Sequence, residues 1–195
     1  MKVSRERAAE NRERIVEIAS RLFRERGFDG IGVADLMKSA GLTHGGFYGH
    51  FDSKEDLMAQ ACARALEGSL SKWRERIEAD PDNPLAALAA LYLSGPHRDQ
   101  PGTGCALAAL GAEAARHEPP VRHALTDGLR AFIDLLGGVL PGRSKAARRE
   151  KALATFAGMV GAVVLARAVD DPALGEEILQ SVSASIAGRP PSAGR

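Results

Sequence analysis

Five side chains between positions 43 and 54 can touch a nucleic acid: Thr43, His44, Tyr48, His50 and Lys54. Thr43 can donate or accept a hydrogen bond or meet a thymine methyl, and His44 can bond a base edge or a phosphate. Tyr48 offers a hydroxyl at phosphate reach, His50 a ring N–H and Lys54 an ammonium. Between them Gly45, Gly46 and Gly49 contribute no side chain and let the backbone approach a partner closely. Each glycine costs a helix roughly 0.5–1 kcal/mol relative to alanine. Something outside so glycine-rich a helix must therefore hold it, and Phe47 and Phe51, four apart, are the expected anchors. Each polar group also has a structural reading. Tyr48 would cap a small core, His50 would be a packed histidine and Lys54 a solvated lysine, with Gly45 structural in either case.

Cys105 is the other residue of chemical interest. It follows Gly102-Thr103-Gly104 and opens a predicted helix, where unpaired N–H groups and the helix dipole favour a thiolate. The plainer reading is a small buried hydrophobe. With Cys62 far away and no metal-ligand spacing, the two cysteines read as reduced thiols rather than a disulfide. The five histidines show no metal-binding repeat, and there is no phosphate loop and no Gly-x-Ser-x-Gly. Cys105 and His117 could pair as nucleophile and base, but twelve residues along one helix separate them by roughly 18 Å. No catalytic residue, metal ligand or cofactor is assigned.

The elements that must position these groups are helices. Val33, Leu36, Met37 and Ala40 recur on one face, Gly41 ends that helix as a left-handed cap, and Thr43 is the expected N-cap of the next. That order is a helix-turn-helix, whose second helix enters the major groove. A preceding helix over about 8–26 carries Ile15, Ile18, Ala19, Leu22 and Phe23 as its stripe. Gly27 closes it and Phe28 packs back. Ser53 to Asp56 reads as a capping box opening a long helix past Trp73 to about Glu78. Asp80 to Pro84 is the clearest break. Helices are predicted over 85–94, 105–117, 120–136, 144–168 and 172–186, with a loop at 97–104. The fold class is all-α with about nine helices. The expected organisation is a DNA-binding domain over 1–55, an effector-binding and dimerisation domain over 56–188, and a disordered tail over 189–195.

Ile15, Ala19, Leu22, Phe23, Gly27-Phe28, Leu36, Ala40-Gly41, Thr43, Gly45, Phe47-Tyr48, His50-Phe51 and Ser53 to Leu57 together resemble the tetracycline-repressor (TetR) family of bacterial regulators. The resemblance implies a three-helix DNA-binding head and a divergent helical body that binds an effector and dimerises. It places Thr43, His44, Tyr48, His50 and Lys54 where family members contact DNA. Gly46 and Gly49 replace larger, sometimes base-reading side chains, which shifts weight toward phosphate contacts and DNA shape.

Candidate effector-lining residues in the body are Trp73, Tyr92, Cys105, Leu107, Leu110, Phe132 and Phe156. Glu113 and Arg116 are polar orienters or surface groups. The apolar faces with Val160, Val163 and Val164, and with Ile178, Leu179, Val182 and Ile186, suggest a two-fold four-helix interface. Ordinary protomer core is the alternative, but one head reading one half-site gains affinity only when paired with a second.

Net charge is +1, so the molecule is no polycation, although residues 1–26 carry eight Lys/Arg against five Glu. That local excess fits an arm along a phosphate backbone. No apolar run approaches the ~20 residues that span a bilayer, and the charged start suggests no export. The sequence thus reads as a cytoplasmic, homodimeric, ligand-responsive transcriptional regulator with no membrane partner. Most simply it is a repressor released from a palindromic double-stranded operator by a small apolar or amphipathic molecule. Alternatives are a redox- or electrophile-sensing repressor acting through Cys105, a non-specific architectural DNA-binding protein and a thiol-dependent enzyme.

Overall fold

The structure, a computed structural model, describes residues 5–188. The tail expected to be disordered at 189–195 lies outside them. The described residues form nine α-helices and two 3-10 segments, with no strand among them. In chain order these are α1 (Arg5–Arg26), α2 (Val33–Ser39), the 3-10 segment His44–Gly49, α3 (Lys54–Ala79), α4 (Pro84–Tyr92), α5 (Gly95–Asp99), the 3-10 turn Pro101–Thr103, α6 (Ala106–Ala114), α7 (Pro119–Val139), α8 (Lys145–Ala168) and α9 (Pro172–Ile186). They divide into two compact units, the described residues up to 68 with 101–128, and 69–100 with the described residues from 129 onward. Their divisions fall inside α3 and α7.

In the first unit α1 buries Ile15, Val16, Ala19, Ser20, Leu22 and Phe23, while Ile18 is half-buried. The buried arc is one position broader than the expected stripe. Gly27 closes α1 at φ +78°, its N–H donating to the Phe23 carbonyl at 2.8 Å. A side chain there would be strained. Gly41, at φ +70°, ends α2 in the same way. The Leu42 N–H reaches back to the Met37 carbonyl at 2.9 Å and the Gly41 N–H to the Lys38 carbonyl at 3.0 Å, the bonding of a Schellman cap. At the start of α3 the Ser53 hydroxyl accepts from the Asp56 N–H at 3.1 Å. Asp56 reaches back to the Asp52 N–H at 3.4 Å, one residue earlier than a reciprocal capping box requires.

In the second unit α8 packs on α9, burying Phe156, Met159, Ala162, Val163 and Ala166 from α8 and Gly175 and Leu179 from α9. Asp171 caps α9, its carboxylate accepting from Ala173 and Leu174 N–H at 2.9 and 3.2 Å. The stretch read as a loop at 97–104 holds α5 and the 3-10 turn. α5 starts where the Ser94 hydroxyl accepts from the His97 N–H at 3.3 Å. Five residues are too few to show a helical period. α8 is long and apolar enough to cross a membrane by length and composition alone, where the sequence reading expected no such run. Its buried face belongs to the packing of this unit.

Candidate nucleic-acid interface and sensor core

The recognition segment His44–Gly49 is a 3-10 helix rather than the α-helix expected. Three glycines in six residues leave too little intrinsic stability for a longer helix, and external anchors hold it as foreseen. Phe47 and Phe51 are 1% and 2% exposed, with ring centroids 5.5 Å apart. The Arg12 guanidinium of α1 lies 5.1 Å from the Phe51 ring centroid.

With its apolar side pinned, the segment turns Thr43, His44, Gly45, Tyr48 and Gly49 outward. Tyr48 is 72% exposed, which removes the reading of it as a core cap. Thr43 holds the N-cap position, but its hydroxyl makes no capping hydrogen bond. The helix is started instead by its carbonyl, which accepts from the Gly46 N–H at 3.0 Å. A Cβ at Gly45 or Gly49 would meet nothing within 4 Å, and neither has a positive φ. The fold itself therefore does not require glycine at 45, against the structural reading of that residue. His50 is half-buried, its ring 6.3 Å from that of Phe51.

Lys54 is not a solvated lysine. Its ammonium donates to the Phe28 carbonyl at 2.7 Å, tying the start of α3 to the turn after α1. The Phe28 N–H donates to Glu113 Oε2 at 2.8 Å, so side chains from α3 and α6 hold one peptide residue on both its polar groups. Glu113, expected as a ligand orienter or a surface group, is a clamp. His117 extends the clamp: its ring sits 4.8 Å from the Phe28 ring, and Nδ1 lies 2.8 Å from Glu55 Oε1. That contact gives His117 a partner other than Cys105. Arg24 secures the other end of the segment, with Nη1 donating to the Gly104 carbonyl at 2.6 Å and Nε to the Ser20 carbonyl at 2.9 Å. Residues 102–117 are thus bound to the end of α1. No local sequence signal announces contacts across 80 or more residues.

Cys105 caps the start of α6 and is 3% exposed. Burial lowers the Arg24 guanidinium below its ordinary value, while Glu17 and the Cys105 and Cys62 thiols oppose the shift. Burial likewise pushes the Cys62 thiol up to about 12, against the pull of Arg24.

Of the expected effector-lining residues, Trp73, Tyr92, Phe132 and Phe156 converge in the second unit. Trp73 packs edge-on against Phe132 at 4.8 Å, Tyr92 at 5.8 Å and Phe156 at 5.9 Å, and Phe132 stacks on Phe156 at 5.1 Å. His97 joins them, a residue the sequence reading did not single out. Its ring is 4.4 Å from that of Tyr92 and its Nδ1 is 2.6 Å from the Tyr92 carbonyl. Burial lowers its pKa, opposed by that carbonyl and reinforced by Arg167 and Lys72. Cys105, Leu107 and Leu110 fall in the first unit, with Leu110 buried and Leu107 half-buried. Arg116 is exposed.

The residues expected on the pairing face differ in exposure within the chain. Val163 and Leu179 are 0% and 1% exposed, whereas Val164 is 43%, Leu165 56%, Leu153 45% and Leu174 42% exposed. Val160, Ile178, Val182 and Ile186 are half-buried between the two sets.

A short helix, a glycine turn and a pinned recognition segment showing hydroxyls and an imidazole define a helix-turn-helix DNA-binding protein. The family model described as bacterial regulatory proteins, tetR family, matches residues 15–61. The repressor NemR of Escherichia coli K12 is 29% identical over 152 residues, which is 76% of this chain and 74% of that protein. The repressor KstR2 of Rhodococcus jostii is 36% identical over 80 residues, 41% of this chain and 39% of that one. Among solved structures, reduced E. coli NemR superposes with a TM-score of 0.77 at 24% identity, over 92% of this chain and 96% of that one. A TetR regulator from Chloroflexus aurantiacus gives 0.73 at 25% identity, over 94% and 95%. Residues 15–61 thus match the tetR-family model, and over three quarters of its length the chain is similar to a transcriptional repressor; it is read as a DNA-binding transcriptional regulator.

Proposed function

We propose that this regulator is a cytoplasmic homodimeric repressor whose two recognition segments sit on a palindromic double-stranded operator and whose release is triggered by a small apolar or amphipathic molecule. The carrying observation is the outward face of Thr43, His44 and Tyr48 on a segment fixed from behind by Phe47 and Phe51. Thr43 and His44 stand at its N-terminal end, which meets base edges in helix-turn-helix docking, and Tyr48 at phosphate reach. His50 and Lys54 stay with the protein and position this face, although an ammonium held by one carbonyl has donors left for a phosphate. Both named relatives are repressors, which supports the sign of regulation.

The aromatic group of Trp73, Tyr92, Phe132 and Phe156 is the effector site in this reading. Trp73 and Phe132 lie in the C-terminal halves of α3 and α7, so an effector that repacks those halves strains the rest of the same helices. It needs only to bind the DNA-incompetent state better, and ~1.4 kcal/mol of differential affinity shifts the equilibrium tenfold. The exposed apolar residues of α8 and α9 supply the dimer interface.

A second reading rests on Cys105. Gly104 is held to α1 through Arg24, and a thiol 3% exposed has no room for an adduct. Alkylation or oxidation there would push the loop off α1 and disturb the head. A gel shift on the DNA upstream of its own gene, with random DNA in excess, tests the first reading. A retarded band that survives the competitor supports it, and a band lost in proportion to competitor overturns it. Release by N-ethylmaleimide that Cys105→Ser abolishes would favour the thiol.

A further inference from the structure

We infer that Arg7, Asn11 and Arg14 form a second DNA contact, a cleft on α1 that clamps a backbone phosphate beside the recognition segment. The inference rests on the DNA-binding reading and adds residues to it. Positions 7, 11 and 14 fall on one face of α1 by helical spacing. Together with Glu10 they line a cleft of about 400 Å³ completed by Gly41 and Leu42. Those two residues are the turn of the helix-turn-helix and directly precede Thr43 and His44. A Cβ at Gly41 would meet nothing within 4 Å, so the cleft is open at that wall.

The charges are arranged for an anion. Arg7 and Arg14 are exposed, and Asn11 Oδ1 accepts from Arg14 Nη2 at 2.7 Å, which orients that guanidinium. Glu10 is the single carboxylate lining the cleft against two guanidinia. A guanidinium fork matches phosphate geometry and stays charged at every working pH. In helix-turn-helix docking the recognition element occupies a groove about 12 Å wide, walled on each side by phosphates. A cationic cleft one residue before that element therefore meets a wall rather than a base. It fixes register and supplies sequence-independent affinity.

The test uses the full chain and a duplex recovered by the wild-type protein from a randomised 30-bp library. Binding of that duplex and of a scrambled one is followed by fluorescence anisotropy between 50 and 200 mM KCl. Arg7→Ala and Arg14→Ala should each weaken both duplexes by similar factors of about three to ten, leaving their ratio unchanged. Each lost phosphate contact removes about 0.9 from the slope of log K against log salt, so about two per dimer. Arg14→Lys should keep the slope, and the thermal midpoint should stay within about 1 °C in all variants. Asn11→Ala should weaken binding without changing the slope, because it orients a charge and carries none. An unchanged slope in Arg7→Ala/Arg14→Ala overturns the inference, as does a loss confined to the selected duplex or one that tracks a lowered midpoint. A wild-type protein that recovers no duplex would instead overturn the DNA-binding reading, and this inference with it.

Discussion

Glu113 Oε2 accepts a hydrogen bond from the backbone N–H of Phe28 at 2.8 Å, joining the end of α6 to the turn between α1 and α2. The same carboxylate stands 2.7 Å from where a Cβ on Gly27 would lie. The turn that leads from α1 into the first helix of the helix-turn-helix is thus shaped by a side chain 85 residues further along the chain. Lys54 on the carbonyl and Glu113 on the N–H leave Phe28 little freedom.

Removing that acceptor should therefore destabilise the head. Glu113→Ala should cost about 1–3 kcal/mol, the range for a partly buried donor left unmade. Glu113→Gln, which keeps an acceptor oxygen, should cost less than half as much. Thermal melts followed by circular dichroism check both, and equal melting of all three proteins would contradict the clamp.

Gly27→Ala should be worse than Glu113→Gln. It combines a positive φ with a carboxylate closer than any Cβ tolerates, and the backbone conformation alone costs about 1 kcal/mol. Pairing it with Glu113→Ala should recover part of the loss, a coupling that a double-mutant cycle measures.

The two C-terminal helices should respond differently to charge according to exposure. Val164→Asp and Leu165→Asp should give folded monomers in sedimentation and lose DNA binding, because these side chains are 43% and 56% exposed in the protomer. Leu179→Asp, at 1% exposed, should lower the melting midpoint itself. Monomeric wild type at micromolar concentration would contradict the proposed pairing.

Acid should loosen the second unit through His97. Burial holds its folded pKa below the ordinary 6.5, so the unfolded chain binds the proton more readily. Its contribution to stability is complete above pH 6.5 and is lost as pH falls from there through the folded value. The melting midpoint should drop between pH 7 and 5, and His97→Gln should flatten that part of the profile. An identical pH dependence in the variant would show that another group governs it.

Trp73 reports on the proposed effector site. It is 3% exposed and lies edge-on to Phe132 and Phe156, so a compound entering between these rings must change its emission. A compound that releases DNA while leaving Trp73 emission untouched would move the effector site elsewhere.

What the sequence showed follows from what repeats locally. Gly27 and Gly41 announce the ends of α1 and α2 because left-handed backbone strongly favours glycine, and the 47-51 phenylalanine pair announces its own burial. The recognition segment was placed correctly but not its 3-10 form, since glycine content weakens a helix without saying which helix results. Val163 and Leu179 were assigned to the pairing face because an apolar residue inside a protomer and one between protomers have the same periodicity. The packing of α8 on α9 is what separates them. The bond of Lys54 to the protein and the clamp of Glu113 went unread for a different reason. Their partner is the Phe28 backbone, and a main-chain partner leaves no trace in residue type.

The central claim is that the face of Thr43, His44 and Tyr48 reads a particular duplex. The most direct measurement is the ratio of dissociation constants for a duplex selected by the wild-type protein and a scrambled duplex, at one fixed salt concentration, in wild type, Thr43→Ala, His44→Ala and Tyr48→Phe. The account predicts a wild-type ratio of about a thousand or more. That ratio should collapse in Thr43→Ala and His44→Ala and persist in Tyr48→Phe despite weaker binding to both duplexes. A wild-type ratio near one, or equal losses on both duplexes in all three variants, would contradict it.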